Sequence, residues 1–218
     1  MKIIDAVPLS SAMPDVQRLR YARFADERGY FTETARPEQI AALPGFENFH
    51  IAQINESRSV AGVARGLHIQ WSPFMGKLVR VVDGHLIDIA CDLRKGSPTF
   101  GRVVACELRH DREDSEPGEW VWLPPGFGHG VLFPTVASRI EYLCTSAWSP
   151  ATEACIALAS SELDWSLVAT DLAARAKSAI AGASFSDKDR VAPTLAAWLD
   201  DPRSDQVRWS PGSPWSCA

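Results

Sequence analysis

The sequence predicts a mainly β fold, an antiparallel sandwich or barrel that is followed by a helical segment. Between Gly62 and Thr145 the apolar residues form short β-rich runs, separated by Gly, Pro, Asp and Ser about every eight to twelve residues. Beyond Pro150 the apolar residues recur at near-helical spacing. The 218 residues, of which 46% are hydrophobic, are enough for one sizeable core or at most two small ones.

The chain before Gly62 carries weaker signals than the β-rich half. Residues 16–27 are ambiguous, residues 30–34 (YFTET) are typical of a strand, and Pro37 opens a short helix expected over residues 37–43. In the β-rich half, seven runs are predicted as strands: residues 67–71, 78–82, 86–91, 102–108, 120–123, 131–133 and 140–144.

The segment after Pro150 is predicted to contain two helices. Residues 157–163 have a mixed pattern, but residues 167–180 place four apolar side chains at near-helical spacing, namely Leu167, Leu172, Ala176 and Ile180. Residues 194–199 form the second helical candidate.

The dipeptide Asp83-Gly84 predicts a β-hairpin, because a type I′ turn needs positive φ at both central residues. Counting back along the two strands places Lys77 diagonal to Asp88 on one face, within reach of a long side chain. An ion pair between Lys77 and Asp88 is therefore predicted, with Asp88 as structural support.

Composition argues against several classes of protein. The 22 basic and 27 acidic residues give a net charge of −5, and the basic residues are scattered, which argues against nucleic-acid binding. No window approaches the roughly 18 apolar residues that span a bilayer, and the first residues lack a signal-peptide layout. A cytoplasmic protein with no membrane partner is expected.

The cysteines are predicted to be reduced and mostly buried. Their number is odd and none lies in a C-x-x-C motif, which argues against a disulfide framework and a thiolate zinc site. They are Cys91, Cys106, Cys144, Cys155 and Cys217.

Two of the five histidines have neighbours that suggest function. Alternation in a strand places Gly66, His68 and Gln70 on one face, a polar face inside an apolar run. His129 lies in a Pro/Gly-rich turn (PPGFGHG, residues 124–130) that holds an imidazole in one place. A transition-metal site would favour a second histidine where Gln70 stands, so metal-free acid and base chemistry is expected.

Several ordered motifs resemble the dTDP-4-dehydrorhamnose 3,5-epimerase family. They are GVARGLHIQ (62–70), GKLVRVV (76–82), DIACDLR (88–94), SPTFG (97–101) and LPPGFGHG (123–130), with DERGYFTE (26–33), QINES (53–57), EYLCT (141–145) and SDKD (186–189). The resemblance implies one cupin-type domain over residues 1–218, with a jelly-roll core at about 48–150 and a C-terminal helical segment at about 163–200. It also implies a homodimer with exchanged N-terminal strands and a site without metal or cofactor.

The resemblance implies inversion of C3 and C5 in a nucleotide-linked 4-keto-6-deoxyhexose, of the dTDP-4-dehydro-6-deoxyglucose type. Protons at both centres are α to the ketone, so the reaction needs a base, an acid and a cation that stabilises the enolate. By resemblance His68 is the base, Asp189 its orienting partner, Tyr142 the acid and Lys77 the cation.

The same resemblance implies a nucleotide-sugar pocket around these four residues. Arg28 resembles a diphosphate contact, Arg65 and His129 match positions near the sugar or diphosphate, and Trp148 is a candidate for stacking on the base. The rest of the pocket matches Phe31, Glu33, Gln53 and Asn55.

Other interpretations stay open from the residues alone. Lys77 would serve equally as an exposed strand lysine, Tyr142 as a core residue, and Asp189 as a helix N-cap. The chain also departs from the family in the stretch 71–76, at Trp148 and in the length of 166–184, which leaves a C3-only epimerase and a non-catalytic sugar-nucleotide-binding cupin as alternatives.

Overall fold

Two antiparallel sheets form the body of the molecule in this computed structural model, which describes residues 1–47, 49–110 and 113–211. In chain order the strands are β1 (Ile3–Ser10), β2 (Met13–Tyr21), β3 (Phe24–Asp26), β4 (Gly29–Phe31), β5 (Gln53–Ser59), β6 (Val63–Gln70), β7 (Lys77–Asp83), β8 (His85–Asp92), β9 (Val103–Arg109), β10 (Gly118–Leu123), β11 (Phe127–Phe133), β12 (Ser138–Cys144) and β13 (Glu153–Cys155). One sheet has the order β1-β2-β10-β7-β12-β5 and the other the order β13-β6-β11-β8-β9, while β3 and β4 form a separate ribbon. The predicted β-sandwich is confirmed.

The seven strands predicted in the β-rich half are confirmed as β6 to β12. Of the flanking strands, β2 and β3 occupy the ambiguous run 16–27, and β4 is shorter than the strand expected over 30–34. Strands β1 and β2 belong to the six-stranded sheet, although they precede the expected core at about 48–150.

Strand β5 was not predicted because polar residues occupy its inward positions and an apolar residue occupies an exposed one. Its polar residues Gln53, Asn55 and Ser57 point inward and are partly buried, whereas Ile54 is 60% exposed. A strand whose inner face lines a polar cavity lacks the apolar alternation on which sequence prediction depends.

The hairpin predicted at Asp83-Gly84 is wrong. Gly84 has a φ of +85°, as a tight turn requires, but β7 lies in the six-stranded sheet and β8 in the five-stranded one. The glycine therefore turns the chain from one sheet to the other, and a Cβ there would lie 2.7 Å from the Ala137 carbonyl oxygen. A local turn signal does not specify which strand the chain pairs with next.

The ion pair predicted between Lys77 and Asp88 is also wrong. Lys77 on β7 lies opposite Leu123 and Cys144, and no ion pair joins it to Asp88 within the parts of the chain that the structure describes. Asp88 is instead hydrogen-bonded to His129 on the neighbouring strand β11, so it still supports a side chain, but a different one.

Four helices flank the sheets in the described residues: α1 (Pro37–Ala41), α2 (Thr170–Ala181), α3 (Asp187–Arg190) and α4 (Leu195–Asp200). The helices predicted at 37–43, 167–180 and 194–199 are confirmed as α1, α2 and α4. The Thr194 side chain caps α4 by accepting a hydrogen bond from the Ala197 amide. None of the helices in the described ranges has the length and apolar character that crossing a bilayer requires.

Apolar side chains pack on both faces of the sandwich as well as between its sheets. One cluster, including Val79, Phe133 and Ile140, lies between the sheets. A second joins the five-stranded sheet to α2 and α4 through residues such as Leu172 and Trp198. A third covers the outer face of the six-stranded sheet with α1. The C-terminal segment is thereby held against β6 and β11, the strands that carry His68 and His129.

Candidate active site

A cavity of about 360 Å³ is lined by side chains from both sheets. Eight of the predicted site residues line it: Gln53, Asn55, Arg65, His68, Lys77, His129, Tyr142 and Trp148. Residues far apart in sequence thus meet because β5, β7 and β12 of one sheet face β6 and β11 of the other.

A bulge in β6 determines which of its side chains reach the cavity. His68 lies opposite His129 of the neighbouring strand β11, and Arg65 lies opposite Val131 of the same strand. Between these two pairs β6 has one residue more than β11, so the register shifts. Gly66 has a φ of +105°, and a Cβ there would lie 2.3 Å from the His129 carbonyl oxygen, so only glycine fits. His68 and Gln70 share the cavity face as predicted, but the bulge places Arg65 there instead of Gly66.

His68 and Asp189 are brought into contact by α3. The His68 Nε2 atom lies 2.7 Å from Asp189 Oδ1, and Ser186 Oγ donates to Asp189 Oδ2 at 2.8 Å. Burial opposes ionisation of Asp189, yet hydrogen bonds from His68, Cys155 and Ser186 lower its pKa to about 2. Asp189 is therefore an anionic acceptor, and Ser186, not Asp189, is the N-cap of α3.

This contact determines which nitrogen of the neutral His68 ring carries the proton. Because the Asp189 carboxylate accepts, neutral His68 carries its proton on Nε2 and has a lone pair on Nδ1. That Nδ1 atom has no hydrogen-bond partner in the described ranges, and the ring borders the cavity with 28% of its side chain exposed. The arrangement is that of an oriented general base.

Tyr142 lies on the opposite sheet from His68. Its hydroxyl is 3.2 Å from Ser57 Oγ, and its ring meets the His129 ring edge-on with centroids 5.8 Å apart. Burial raises the pKa of Tyr142 to about 12, so the phenol is protonated at neutral pH and can donate a proton or hydrogen bond.

Lys77 lines the cavity and forms no ion pair among the described residues. Burial lowers the pKa of its ammonium group, and the nearby carboxylates of Glu153 and Asp88 oppose that shift. An ammonium group held this way is available for charge that develops on a bound molecule.

His129, which lines the cavity, forms a second imidazole–carboxylate pair with Asp88, which does not. His129 Nε2 lies 2.9 Å from Asp88 Oδ2, and both side chains are buried. Burial lowers the pKa of His129, while the Asp88 carboxylate opposes the shift. This pair holds the His129 ring in place against Tyr142.

The cavity rim is ordered by hydrogen bonds between predicted residues. Gln53 Nε2 donates to Asn55 Oδ1 at 2.8 Å, and Gln53 Oε1 accepts from the Trp148 amide at 2.9 Å. Arg65 Nε donates to Ser59 Oγ at 2.9 Å. Trp148 is 57% exposed although it lines the cavity.

Three predicted site residues do not line this cavity. Arg28 forms a bidentate pair with Asp26, Phe31 is 74% exposed on β4, and Glu33 pairs with Arg36 and the N-terminal amine. The structure of the single chain therefore leaves these three outside the site.

Sequence reasoning missed several side chains of the cavity. Glu153 on β13 is ion-paired with Lys188 of α3, which ties this helix to the cavity wall. Gln70 was placed on the polar face of β6 by the sequence, but its partners were not: it donates to the Pro73 and Ala147 carbonyls and accepts from the Ser149 amide, so it orders two loops. The SDKD motif contained Lys188, but nothing in the sequence pointed to its partner in a three-residue strand.

One group of potential metal ligands lies in the described part of the chain. His68, Cys155 and Asp189 offer a nitrogen, a sulfur and an oxygen within 4.8 Å of one another. Cys155 Sγ lies 3.1 Å from Asp189 Oδ1.

Known proteins resemble this chain in sequence. The family model described as dTDP-4-dehydrorhamnose 3,5-epimerase matches residues 10–197. A dTDP-4-dehydrorhamnose 3,5-epimerase of Pseudomonas aeruginosa is 39% identical over 158 residues, which are 72% of this chain and 84% of that protein. The protein of the same name from Neisseria gonorrhoeae is 40% identical over 70% of this chain, and the match spans 43% of its own length.

Solved structures resemble it in fold. The dTDP-6-deoxy-D-glucose-3,5-epimerase of Legionella pneumophila, in complex with dTDP-4-keto-L-rhamnose, matches with a TM-score of 0.77 and 30% identity, covering 94% of this chain and 98% of that one. A 3′-monoepimerase of Streptomyces bikiniensis in complex with dTDP-quinovose matches with a TM-score of 0.68 and 27% identity, covering 90% and 88%. The expected cupin-type jelly roll is confirmed by this likeness.

Proposed function

The chain belongs to the dTDP-4-dehydrorhamnose 3,5-epimerase family, and we propose that it inverts C3 and C5 of a dTDP-linked 4-keto-6-deoxyhexose. One observation carries the proposal. An oriented imidazole, a protonated phenol and an unpaired ammonium group converge from two sheets on one cavity.

The proposed reaction begins with proton transfer to His68. Nδ1 takes the proton from the carbon next to the C4 ketone, and the electron pair of the broken C–H bond moves to the ketone oxygen as an enolate. The resulting imidazolium is stabilised by Asp189, and the enolate oxygen by Lys77. Tyr142 then returns a proton to the same carbon from the opposite face, which inverts the centre.

The proton balance closes without a cofactor. Each inversion removes one proton and adds one, so the oxidation state of the sugar does not change. His68 afterwards releases its proton to solvent, and Tyr142 regains one. The second centre on the other side of the ketone can then react in the same way.

The rim supplies binding groups for the nucleotide part. Arg65, His129 and Trp148 line the cavity, which supports contacts of the two basic side chains with the sugar or the diphosphate and stacking of the indole on a base. Gln53 and Asn55 complete the polar wall between them.

We further propose that Arg28, Phe31 and Glu33 complete the cavity of a partner subunit in a homodimer. These residues belong to the family motif yet lie outside the cavity of their own chain, and Phe31 is paired with Phe24, which is also exposed. The exchanged N-terminal segment then includes the β3–β4 ribbon, whereas β1 and β2 pair within their own sheet.

A cytoplasmic location is supported by the cysteines that form no disulfide, namely Cys91, Cys106, Cys144 and Cys155. Cys217 lies outside the described residues.

The alternative is inversion at C3 alone. It is favoured by the likeness to the 3′-monoepimerase and by the departure at Trp148. In that case the cavity orients the sugar so that only the proton on C3 comes close to His68 Nδ1.

Proton NMR of the enzyme with dTDP-4-keto-6-deoxyglucose in deuterated buffer tests these proposals. Loss of the C3 and C5 proton signals is followed separately. We expect exchange at both positions. Exchange at C3 alone establishes the alternative, and no exchange despite nucleotide binding contradicts both and leaves a binding protein.

A further inference from the structure

The thiol of Cys155 lies against the proposed base and its partner, although the proposed reaction gives it no part. Its Sγ approaches Asp189 Oδ1, the same oxygen that lies 2.7 Å from His68 Nε2. Cys155 and Asp189 are each only 6% exposed, whereas the His68 ring opens onto the cavity. A thiol, a carboxylate and an imidazole therefore converge at the inner wall of the cavity.

The three groups have the chemistry and spacing of a site for a thiophilic divalent cation. Zn²⁺ binds thiolate sulfur at about 2.3 Å and imidazole nitrogen or carboxylate oxygen at about 2.0–2.2 Å. A tetrahedral ion therefore holds such ligand atoms roughly 3.3–3.7 Å apart. Ligand atoms that already lie within 4.8 Å of one another reach this spacing through small side-chain rotations.

Of the three ligand residues only His68 lines the cavity, and its Nε2 atom lies 2.7 Å from Asp189 Oδ1. A hydrated cation from solvent therefore reaches Nε2 when the His68 ring turns away from Asp189. Three protein ligands leave one position of a tetrahedral ion for water. In the described ranges no other three His, Cys, Asp or Glu side chains meet this spacing.

We propose that His68, Cys155 and Asp189 form an inhibitory site for Zn²⁺ or a cation of the same chemistry. Cys155 gives its thiol proton to solvent, and the thiolate and the Asp189 carboxylate balance the two charges of the ion. Neutral His68 binds the ion through Nε2. The Nε2 proton, which was hydrogen-bonded to Asp189, is released to solvent, and Nδ1 takes up a proton from solvent.

Occupation of this site disables the base. With its proton on Nδ1, His68 cannot accept a proton from the sugar, and Asp189 no longer orients the ring. This consequence rests on the proposed function, in which Nδ1 is the base. Binding of the ion does not rest on it.

Binding of Zn²⁺ to the whole chain, measured by competition with a chromophoric chelator, is the first test. The Cys217→Ser background removes a thiol outside the described residues. We expect one tight Zn²⁺ per chain, weakened by at least about tenfold in Cys155→Ser, because a hydroxyl is a poor zinc ligand. The matched control Cys91→Ser alters a buried thiol that, like Cys155, donates to the carbonyl of the next residue but lies outside the His68–Cys155–Asp189 group, and we expect it to bind Zn²⁺ as the parent does.

Co²⁺ gives a readout that is independent of affinity. A cobalt–thiolate bond produces a charge-transfer absorption, which we expect in the parent and in Cys91→Ser but not in Cys155→Ser or Cys155→Ala. Equal Zn²⁺ binding by the parent and both Cys155 variants overturns the proposal, as does the absence of tight binding in the parent.

Inhibition is measured against the zinc-free rate of each variant. Zn²⁺ stops proton exchange in the parent, a chelator restores it, and the Cys155 variants need at least about tenfold more Zn²⁺. If the Cys155-dependent ion binds but the chain has no epimerase activity to inhibit, the proposed function fails while the metal site stands. If exchange proceeds unchanged with the ion bound, the inhibitory role is overturned.

Discussion

Two imidazole–carboxylate pairs border the same cavity, and their surroundings are opposite. His68 and Asp189 are 121 residues apart and join β6 to α3, and the imidazole presents a free nitrogen to the cavity. His129 and Asp88 are 41 residues apart on neighbouring strands of one sheet, and both are buried. The same two residue types thus form the proposed reactive pair where the ring is open and a supporting pair where the ring is enclosed.

The largest expected effect tests the reactive pair. We expect His68→Asn to lower proton exchange by roughly 10²–10⁴-fold, because it removes the proposed general base, while nucleotide binding persists. Deuterium incorporation by NMR measures the rate. His85→Asn is the control, since His85 is hydrogen-bonded to Glu107 and does not line the cavity. Exchange that survives in His68→Asn contradicts the assignment of the base.

Asp189→Asn sharpens the contrast by removing the orienting charge only. The amide of the variant can still hydrogen-bond to the His68 ring, but it does not select the tautomer with a lone pair on Nδ1. The rate of proton exchange is therefore expected to fall by about 100-fold or more. Asp187→Asn, on the same helix and almost fully exposed, is expected to retain the parent rate. Parent-like exchange in Asp189→Asn would reduce the His68–Asp189 contact to a structural one.

Asp88→Ala is expected to act mainly on stability. It leaves the buried His129 without its partner, which costs about 1–3 kcal/mol in the free energy of unfolding. Denaturant titration measures the loss. Asp171→Ala, at an exposed carboxylate on α2, should change stability by less than about 0.5 kcal/mol. A loss in Asp88→Ala no larger than in this control would mean that the buried pair contributes nothing.

The smallest effect is a pH dependence of stability. Burial lowers the pKa of His129 below its usual value of 6.5, so the unfolded chain binds the proton more readily than the folded one. The contribution of His129 is therefore present above about pH 6.5 and declines as the pH falls towards its folded pKa, by at most about 1.4 kcal/mol per pH unit. Denaturant midpoints between about pH 7.5 and 5.5 measure the slope, and His129→Gln should flatten it. If the stability of His129→Gln depends on pH as steeply as that of the parent, the pH dependence comes from other groups.

Much of the fold was predictable because its signals are local. Short β-rich runs and regular turn residues located β6 to β12, near-helical spacing of apolar residues located α2, and α4 coincides with the helical candidate at 194–199. The exceptions had a physical cause. Strand β5 carries polar residues on its inner face, and the Asp83-Gly84 turn joins two sheets, which the turn residues alone do not specify.

The site was predictable through motifs and only in part. Eight predicted residues line one cavity and Asp189 contacts His68, but Arg28, Phe31 and Glu33 lie elsewhere in the single chain. Cys155 and Glu153 were missed because they lie in a three-residue strand without a pattern of its own.

The sequence by itself determined the β architecture, the helical addition and the types of acidic, basic and cationic residue that line the cavity, because periodicity, turns and ordered motifs are written along the chain. Only the tertiary structure decided which imidazole is exposed, which carboxylate it contacts and which thiol lies beside them. Those properties depend on the bulge at Gly66, on the sheet that each strand enters and on the docking of α3. Burial and hydrogen bonding between residues distant in sequence, rather than residue type, set the difference between the two pairs.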